Sequence, residues 1–545
     1  RSLHHILLSE GFLSEIALYQ ALAAHDNVPF VDLSKTLIPP EILGLLAEPV
    51  VQTHHLIPFE RNEQVIKVAM VDSDDLQTID VIRKQLPLSI EIYQTTPSSI
   101  DHALQQYHHG VDQELESIAR HIQETVAESE TVNSDDPKDL ERLAQNLPII
   151  KVVETLLDYA VFEGASDIHI EPAENNLLVR YRIDGILKDV MTLPKTVLSG
   201  LVARIKILSN LKLDEHRLPQ DGRFKIVHQR YKVAVRVSVI PVFDGEKVVM
   251  RILDEAAEAL DVKKLGFHAT ALQVLMRNMS KPHGLILVTG PTGSGKTTTL
   301  YSILGQLNTT AVNISTIEDP IEYRIPRINQ SQVNPKIGFT FASGLRALLR
   351  QDPNIIMVGE IRDNETAEMA IHAAMTGHLV LSTLHTNDAP STIARLSEMN
   401  VPPYLLASTT NLVIGQRLVR RLCPDCHEEI MLGEKELEQF QLLDDVLTAQ
   451  QFTQTPTRPS KKAWTFFKSK GCNLCGQEGY KGRLGIFELL EVTPPIAQLI
   501  ATQAPITQLQ DAAKKQGMIT MLQDGLLKAL AGITSIEEVL RVTRE

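Results

Sequence analysis

The residues best suited to chemistry lie mid-chain, in the run Gly290, Pro291, Thr292, Gly293, Ser294, Gly295, Lys296, Thr297, with Thr298 following. Its glycines let backbone N–H groups turn inward and cradle phosphate oxygens. An apolar strand signal, Gly284–Thr289, precedes the run, and a helical stretch, Thr298–Leu304, follows it. Strand, glycine loop and helix in register are the context a phosphate-binding loop requires, and a chance glycine-rich turn lacks it. The helix N-terminus adds partial positive charge at the same place. Lys296 supplies a full charge to the β- and γ-phosphates, and the Thr297 hydroxyl is a magnesium ligand. The ligand implied is ATP with Mg²⁺.

Three further segments supply acids and histidines. Ile355–Glu360 reads as an apolar strand ending in a carboxylate. Such a strand should lie beside the phosphate-loop strand, so that its terminal acid meets magnesium or the attacking water. Gly359 holds the usual aspartate position, which leaves Glu360 as the available acid. Between the two strands, Glu318, Asp319 and Glu322 crowd one strand end. Glu318 and Glu322 suit general-base or water-positioning work, with an acidic surface turn as the alternative. In Thr376–Asn387, His378 and His385 bracket an apolar strand. Histidines at strand ends serve structure more often than catalysis, yet their protons are available near neutral pH.

The four cysteines form Cys423-Pro-Asp-Cys426 and Cys472-Asn-Leu-Cys475. Four thiolates close a tetrahedral shell, as structural Zn²⁺ requires, and leave no open position for catalysis. The spacer exceeds that of a zinc ribbon, so the metal would clip a large excursion, 423–475, onto its domain. Free thiols or a redox pair are the alternative.

Elements must hold these groups. At 545 residues the chain exceeds one core, and two to four domains are expected. A 43% hydrophobic and 22% charged composition is that of a soluble globular protein, and the net charge of −14 argues against a general nucleic-acid binder. No apolar run approaches the ~20 residues that span a bilayer. The start, without Met, suggests a trimmed N-terminus and no secretory signal, and the chain reads as cytoplasmic. Residues 1–107 look like a small α/β module, and 108–139 like an acidic linker. Residues 140–260 open with an amphipathic helix before strand-like alternations, and 261–545 alternate apolar strands with helices, the pattern of a mainly parallel sheet covered on both faces.

These elements in this order resemble the secretion ATPases of type II secretion and type IV pilus assembly, the GspE/PilB family. Gly290–Thr297 looks like its Walker A box, Thr316–Tyr323 its aspartate box, Ile355–Glu360 its atypical Walker B and Ala373–Asn387 its histidine box. The likeness reaches back to Ala165–Pro172, Arg180–Gly185 and Leu218–Arg223. It implies a RecA-like P-loop domain preceded by a PAS-like α+β domain and a small N-terminal α/β domain. It also implies a homo-hexamer, with arginines of the PAS-like domain acting on the phosphates. Arg223 and Arg236 match best, Arg217 less well.

The tetracysteine insertion is common in secretion and pilus-extension members and absent from retraction motors. The implied partners are an inner-membrane platform protein and a cytoplasmic-face assembly protein, reached through the N-terminal domain, with membrane association only through them. Some members bind cyclic di-GMP through an N-terminal motif. Here Leu7, Leu8, Gly11, Phe12, Leu13, Leu18 and Leu22 fit its aliphatic part. Ser2, His4 and His25 depart from its polar head, so the expectation is a protein-docking module, with cyclic di-GMP binding as the alternative. The function expected is ATP hydrolysis driving pilus assembly. The alternative is type II secretion; a scaffold without turnover and a nucleic-acid motor are lesser readings.

Overall fold

The computed structural model describes most of residues 15–103, then 137–227, 232–254, 261–439, 442, 445, 463–472 and 475–544. The chain divides into two compact units, Arg1–Ile252 and Leu253–Glu545. Among the described residues, no helix is long and apolar enough to cross a membrane.

The first unit holds two sheets. Strands β1 (Leu56–Arg61), β2 (Val65–Met70) and β3 (Ser89–Gln94) lie in that order, β1 antiparallel and β3 parallel to β2. Ile57, Ile66 and Val68 anchor their core, and Leu18 and Ala23 are buried on the helix Glu15–Asp26. The remaining motif residues for cyclic di-GMP recognition, from Ser2 to Leu13, lie outside the described residues, as does most of the acidic stretch. A helix, Pro137–Ala144, begins inside the segment expected to be linker.

The second sheet comprises β4 (Asp167–Pro172), β5 (Asn176–Ile183), β6 (Ile186–Pro194), β7 (Gln220–Val227), β8 (Lys232–Val242) and β9 (Gly245–Asp254), in the order β6-β5-β4-β9-β8-β7. Period-two alternation sends Ile168 and Ile170, and Val233, Val235, Val237 and Val239, to one face. There they meet the helix Leu147–Phe162, which buries Ile149, Val152, Val153, Leu156, Leu157 and Ala160 at helical spacing. The other face is polar. On it, exposed Arg223 of β7 and Arg236 of β8 stand directly opposite each other.

The second unit is built on β10 (Gly284–Thr289), β11 (Ile314–Glu318), β12 (Asn329–Gln332), β13 (Ile355–Val358), β14 (Leu379–Leu384), β15 (Thr410–Leu422) and β18 (Tyr480–Glu491). The order is β12-β11-β13-β14-β10-β15-β18, parallel except for β18 against β15. Leu285 and Leu287 of β10 join the core on one face with Ile356 and Val358, while Ile286 and Val288 join the other with Ile355 and Met357. Burial on both faces explains why these strands read as unbroken apolar runs. One expectation is corrected: the acid-ended β13 does not lie beside the phosphate-loop strand, because β14 is inserted between them. The β15–β18 excursion carries a second small sheet, β16 (Glu428–Gly433) with β17 (Ala463–Lys468). Trp464 and Phe466 pack it against Leu526, Ala529 and Val539 of the C-terminal helices.

Candidate nucleotide site

The C-terminal ends of parallel strands gather the phosphate loop after β10, Glu318 at the end of β11, Glu360 after β13 and His385 after β14. Gly290 and Gly295 adopt φ of 149° and 87°, the left-handed half of backbone space. A Cβ at Gly290 would lie 2.4 Å from the Gln416 carbonyl oxygen, and one at Gly295 would lie 2.8 Å from the Gln416 amide nitrogen. Glycine is therefore required by approach as well as by angle. Gly295 caps the helix Lys296–Leu307, so Thr297 and Thr298 sit in its first turn, where unpaired N–H groups concentrate. Pro291, Thr292 and Gly293 are exposed at the loop tip and Ser294 is buried beneath them.

Lys296 Nζ donates to the Gly290 and Pro291 carbonyls at 2.7 and 3.0 Å. Burial brings its ammonium down to about 8; the Glu360 carboxylate opposes this and the Arg417 guanidinium adds to it. Glu360 is 12% exposed and pairs with Arg362 at 2.5 Å, with His385 Nε2 3.6 Å from its other oxygen. The His385 imidazole is held below its ordinary value, first by burial and then by Lys296. Lys296, Glu360 and His385 thus share one electrostatic environment, although their strands are not all neighbours. Gly359 has a packing reason: its Cβ would lie 3.3 Å from the Glu318 Cα. An aspartate there would press on the neighbouring strand.

The aspartate-box acids separate. Glu318 is buried, accepting from Tyr301, from Thr316 at 2.5 Å and from Gln330 at 3.2 Å. Burial pushes this carboxyl up against those three donors. With its oxygens occupied, Glu318 fastens β11 to the phosphate-loop helix through Tyr301. Glu322 is half-buried beside it, its backbone N–H 3.3 Å from the Tyr301 hydroxyl. The histidines also separate. His385 follows β14 on the phosphate-loop side. His378 precedes β14, a six-residue strand, and so lies roughly 20 Å away. Its ring hydrogen-bonds the Ala373 carbonyl at 2.9 Å, and the structure does not bring it to the phosphate loop.

Four contributors, Gln416, Thr289, Thr386 and Arg362, carry no motif of their own in the sequence. Gln416 of β15 donates to the Ser294 carbonyl at 2.8 Å and accepts from Thr299 at 2.7 Å, fixing the loop from a neighbouring strand. Thr289 and Thr386 pair at 2.5 Å, tying the end of β10 to the histidine box. Arg362 holds Glu360. Polar residues closing an apolar run were the available signal: Gln416 and Arg417 interrupt one, and Thr289 ends another.

Away from this site, the sulfurs of Cys423, Cys426, Cys472 and Cys475 all lie within 4.8 Å of one another. Sulfur separations of 3.8 Å for Cys423–Cys472 and 3.7 Å for Cys426–Cys475 and Cys472–Cys475 match the ~3.8 Å expected of a tetrahedron with 2.3 Å zinc–sulfur bonds. Burial disfavours the Cys475 thiolate, but backbone N–H groups of Cys472 and Gly479, with neighbouring thiols, bring that thiol down to about 7. The donor set fits a closed structural ion.

A family model described as type II/IV secretion system protein matches residues 142–541. The chain belongs to that family. A second model, the MshEN domain, matches residues 27–114. Among relatives, the type IV pilus assembly ATPase PilB of Myxococcus xanthus is 39% identical over 98% of this chain and 92% of its own. The type II secretion system protein E of Xanthomonas campestris pv. campestris is 42% identical, covering 98% and 92%. The type IV pilus assembly ATPase TfpB of Acinetobacter baylyi is 44% identical, covering 84% and 76%. The solved ATPase DotB of Legionella pneumophila, 22% identical with a TM-score of 0.51, covers 72% of this chain and 95% of its own and shares the fold. This family member is an ATPase of the secretion and pilus-assembly class, with the mixed α/β architecture read from the sequence.

Proposed function

We propose that this ATPase powers type IV pilus assembly, working as a cytoplasmic homo-hexamer on an inner-membrane platform protein. The observation that carries this reading is the match with PilB, which runs along 98% of the chain and so takes in the N-terminal module. Type II secretion is the second reading, favoured by the equally long match with a secretion ATPase. Deleting the gene in its source organism, and complementing with wild type or Lys296→Ala, separates them. Loss of surface pili with normal exoprotein release, rescued by wild type alone, supports pilus assembly. Trapped exoproteins on normally piliated cells would overturn it.

In the mechanism proposed, the loop amides, Lys296 and Thr297 hold Mg–ATP. Glu360, positioned by Arg362 and near His385, orients a water and takes its proton as the water oxygen bonds to the γ-phosphorus and the bond from that phosphorus to the bridging oxygen breaks, giving ADP and phosphate. Glu318, its oxygens engaged in the core, serves as a positioning acid, and Glu322 is the remaining aspartate-box candidate. Arg223 and Arg236 are the proposed phosphate-sensing cations. Like charges directly opposite on paired strands repel, so the pair makes most sense where an anion offsets them. The four cysteines would hold a structural Zn²⁺, and the N-terminal module would dock an assembly partner. The MshEN match keeps cyclic di-GMP as the alternative ligand.

A further inference from the structure

On the sheet face that packs against the helix Ala389–Glu398, the apolar core is broken by a buried carboxylate. Glu488 of β18 is 5% exposed and stands opposite Gly415 of β15. One oxygen accepts from the Ala389 N–H at 2.7 Å, the other from the Met521 N–H at 3.3 Å. These are the first residues of the helices Ala389–Glu398 and Met521–Leu530. A Cβ at Gly415 would lie 3.0 Å from the Glu488 Cγ, so glycine makes room for the carboxylate. Both helices already have neutral or acidic N-caps, Asp388 and Thr520, which satisfy other amides. The glutamate is therefore not needed merely to begin a helix.

What Ala389 begins is the helix directly after His385, Thr386, Asn387 and Asp388. That turn is fastened at three points. Thr386 is held by Thr289 of the phosphate-loop strand. Asn387 faces the Arg417 guanidinium at 3.5 Å. Ala389 is held by Glu488. The charge is costly in such a place: burial, with Asp388 adding to it, pushes the Glu488 carboxyl up to about 7 despite the two amide donors and Arg417.

We propose that Glu488 is a positioning residue for hydrolysis, acting through the Ala389 amide to fix the histidine-box turn and so hold His385 beside Glu360. This rests on the reading of His385 as part of the hydrolytic site. Loss of the anchor would let the imidazole drift, and displacement by about 1 Å at a reacting centre can cost up to ~100-fold in rate.

The test is a double-mutant cycle in the full chain, reading kcat and KM for Mg–ATP with wild type, Glu488→Leu, which removes both acceptors at similar volume, His385→Ala and the double variant. The expected results are a roughly tenfold loss of kcat for Glu488→Leu, with KM within about twofold of wild type, and a double variant no slower than His385→Ala. A merely structural glutamate would raise KM and multiply its loss onto that of His385→Ala, which overturns the proposal. Should His385→Ala turn over at the wild-type rate, the reading of His385 fails and takes the proposal with it. Should Glu488→Leu fail to fold, Gly415→Ala crowds the same carboxylate and runs the same cycle, with the same non-additivity expected and the same product of losses contradicting it.

Discussion

Raising the pH should weaken nucleotide binding through one residue. Lys296 is already brought down to about 8 by burial, so its ammonium is about 90% charged at pH 7 and about 10% charged at pH 9. A bound triphosphate favours the charged form and raises this pKa, so binding above pH 8 must take up a proton. By linkage, affinity falls about tenfold between pH 7 and pH 9 and continues downward at about tenfold per pH unit. The sign for stability is the opposite. The folded pKa lies below the unfolded 10.5, so the protein alone gains stability as pH rises through that window. The assay is equilibrium binding of a fluorescent ATP analogue at fixed ionic strength and magnesium, for wild type and Lys296→Arg. Arginine keeps its charge throughout, so its slope should vanish. An affinity flat from pH 7 to 9 in wild type, or an equal slope in Lys296→Arg, would refute the reasoning.

Three other perturbations have expected outcomes. Gln416→Leu removes one bond to the phosphate loop and one to the helix that follows it, leaving the Ser294 carbonyl and Thr299 hydroxyl without that partner. It should cost about 1–3 kcal/mol in thermal unfolding and weaken nucleotide binding; a neutral result on both contradicts the clamp. Cys472→Ser or chelation should release zinc at one per chain and red-shift the emission of the single tryptophan, Trp464, which packs in the excursion's core. Protein purified without metal and with unchanged fluorescence would contradict the clip. Arg223→Ala with Arg236→Ala should lower kcat by at least tenfold while leaving the fold intact by circular dichroism; normal turnover removes them from the mechanism.

The sequence was most legible where one strand carries its own chemistry. Gly284–Thr297 declared strand, loop and helix without help, because both faces of β10 are buried and the glycines are forced by backbone angle and close approach. The paired arginines were found by resemblance, but their direct opposition depends on the β7–β8 register, which no local pattern states. His378 and His385 looked alike as strand-bracketing histidines, and only strand direction tells them apart. No local pattern assigns Gln416 to the site, because its partners, Ser294 and Thr299, lie more than a hundred residues away. Placing β13 beside β10 failed for a similar reason: the order of parallel strands is set by crossovers, and β14 inserts through one of them.

The most direct measurement is phosphate release by purified wild type and Glu360→Gln under saturating Mg–ATP, with nucleotide affinity measured on the same samples. The variant should bind ATP about as tightly as wild type and turn over at least 100-fold more slowly, because the loop amides and Lys296 remain while the water loses its base. Near-wild-type turnover by Glu360→Gln would contradict the assignment of this site.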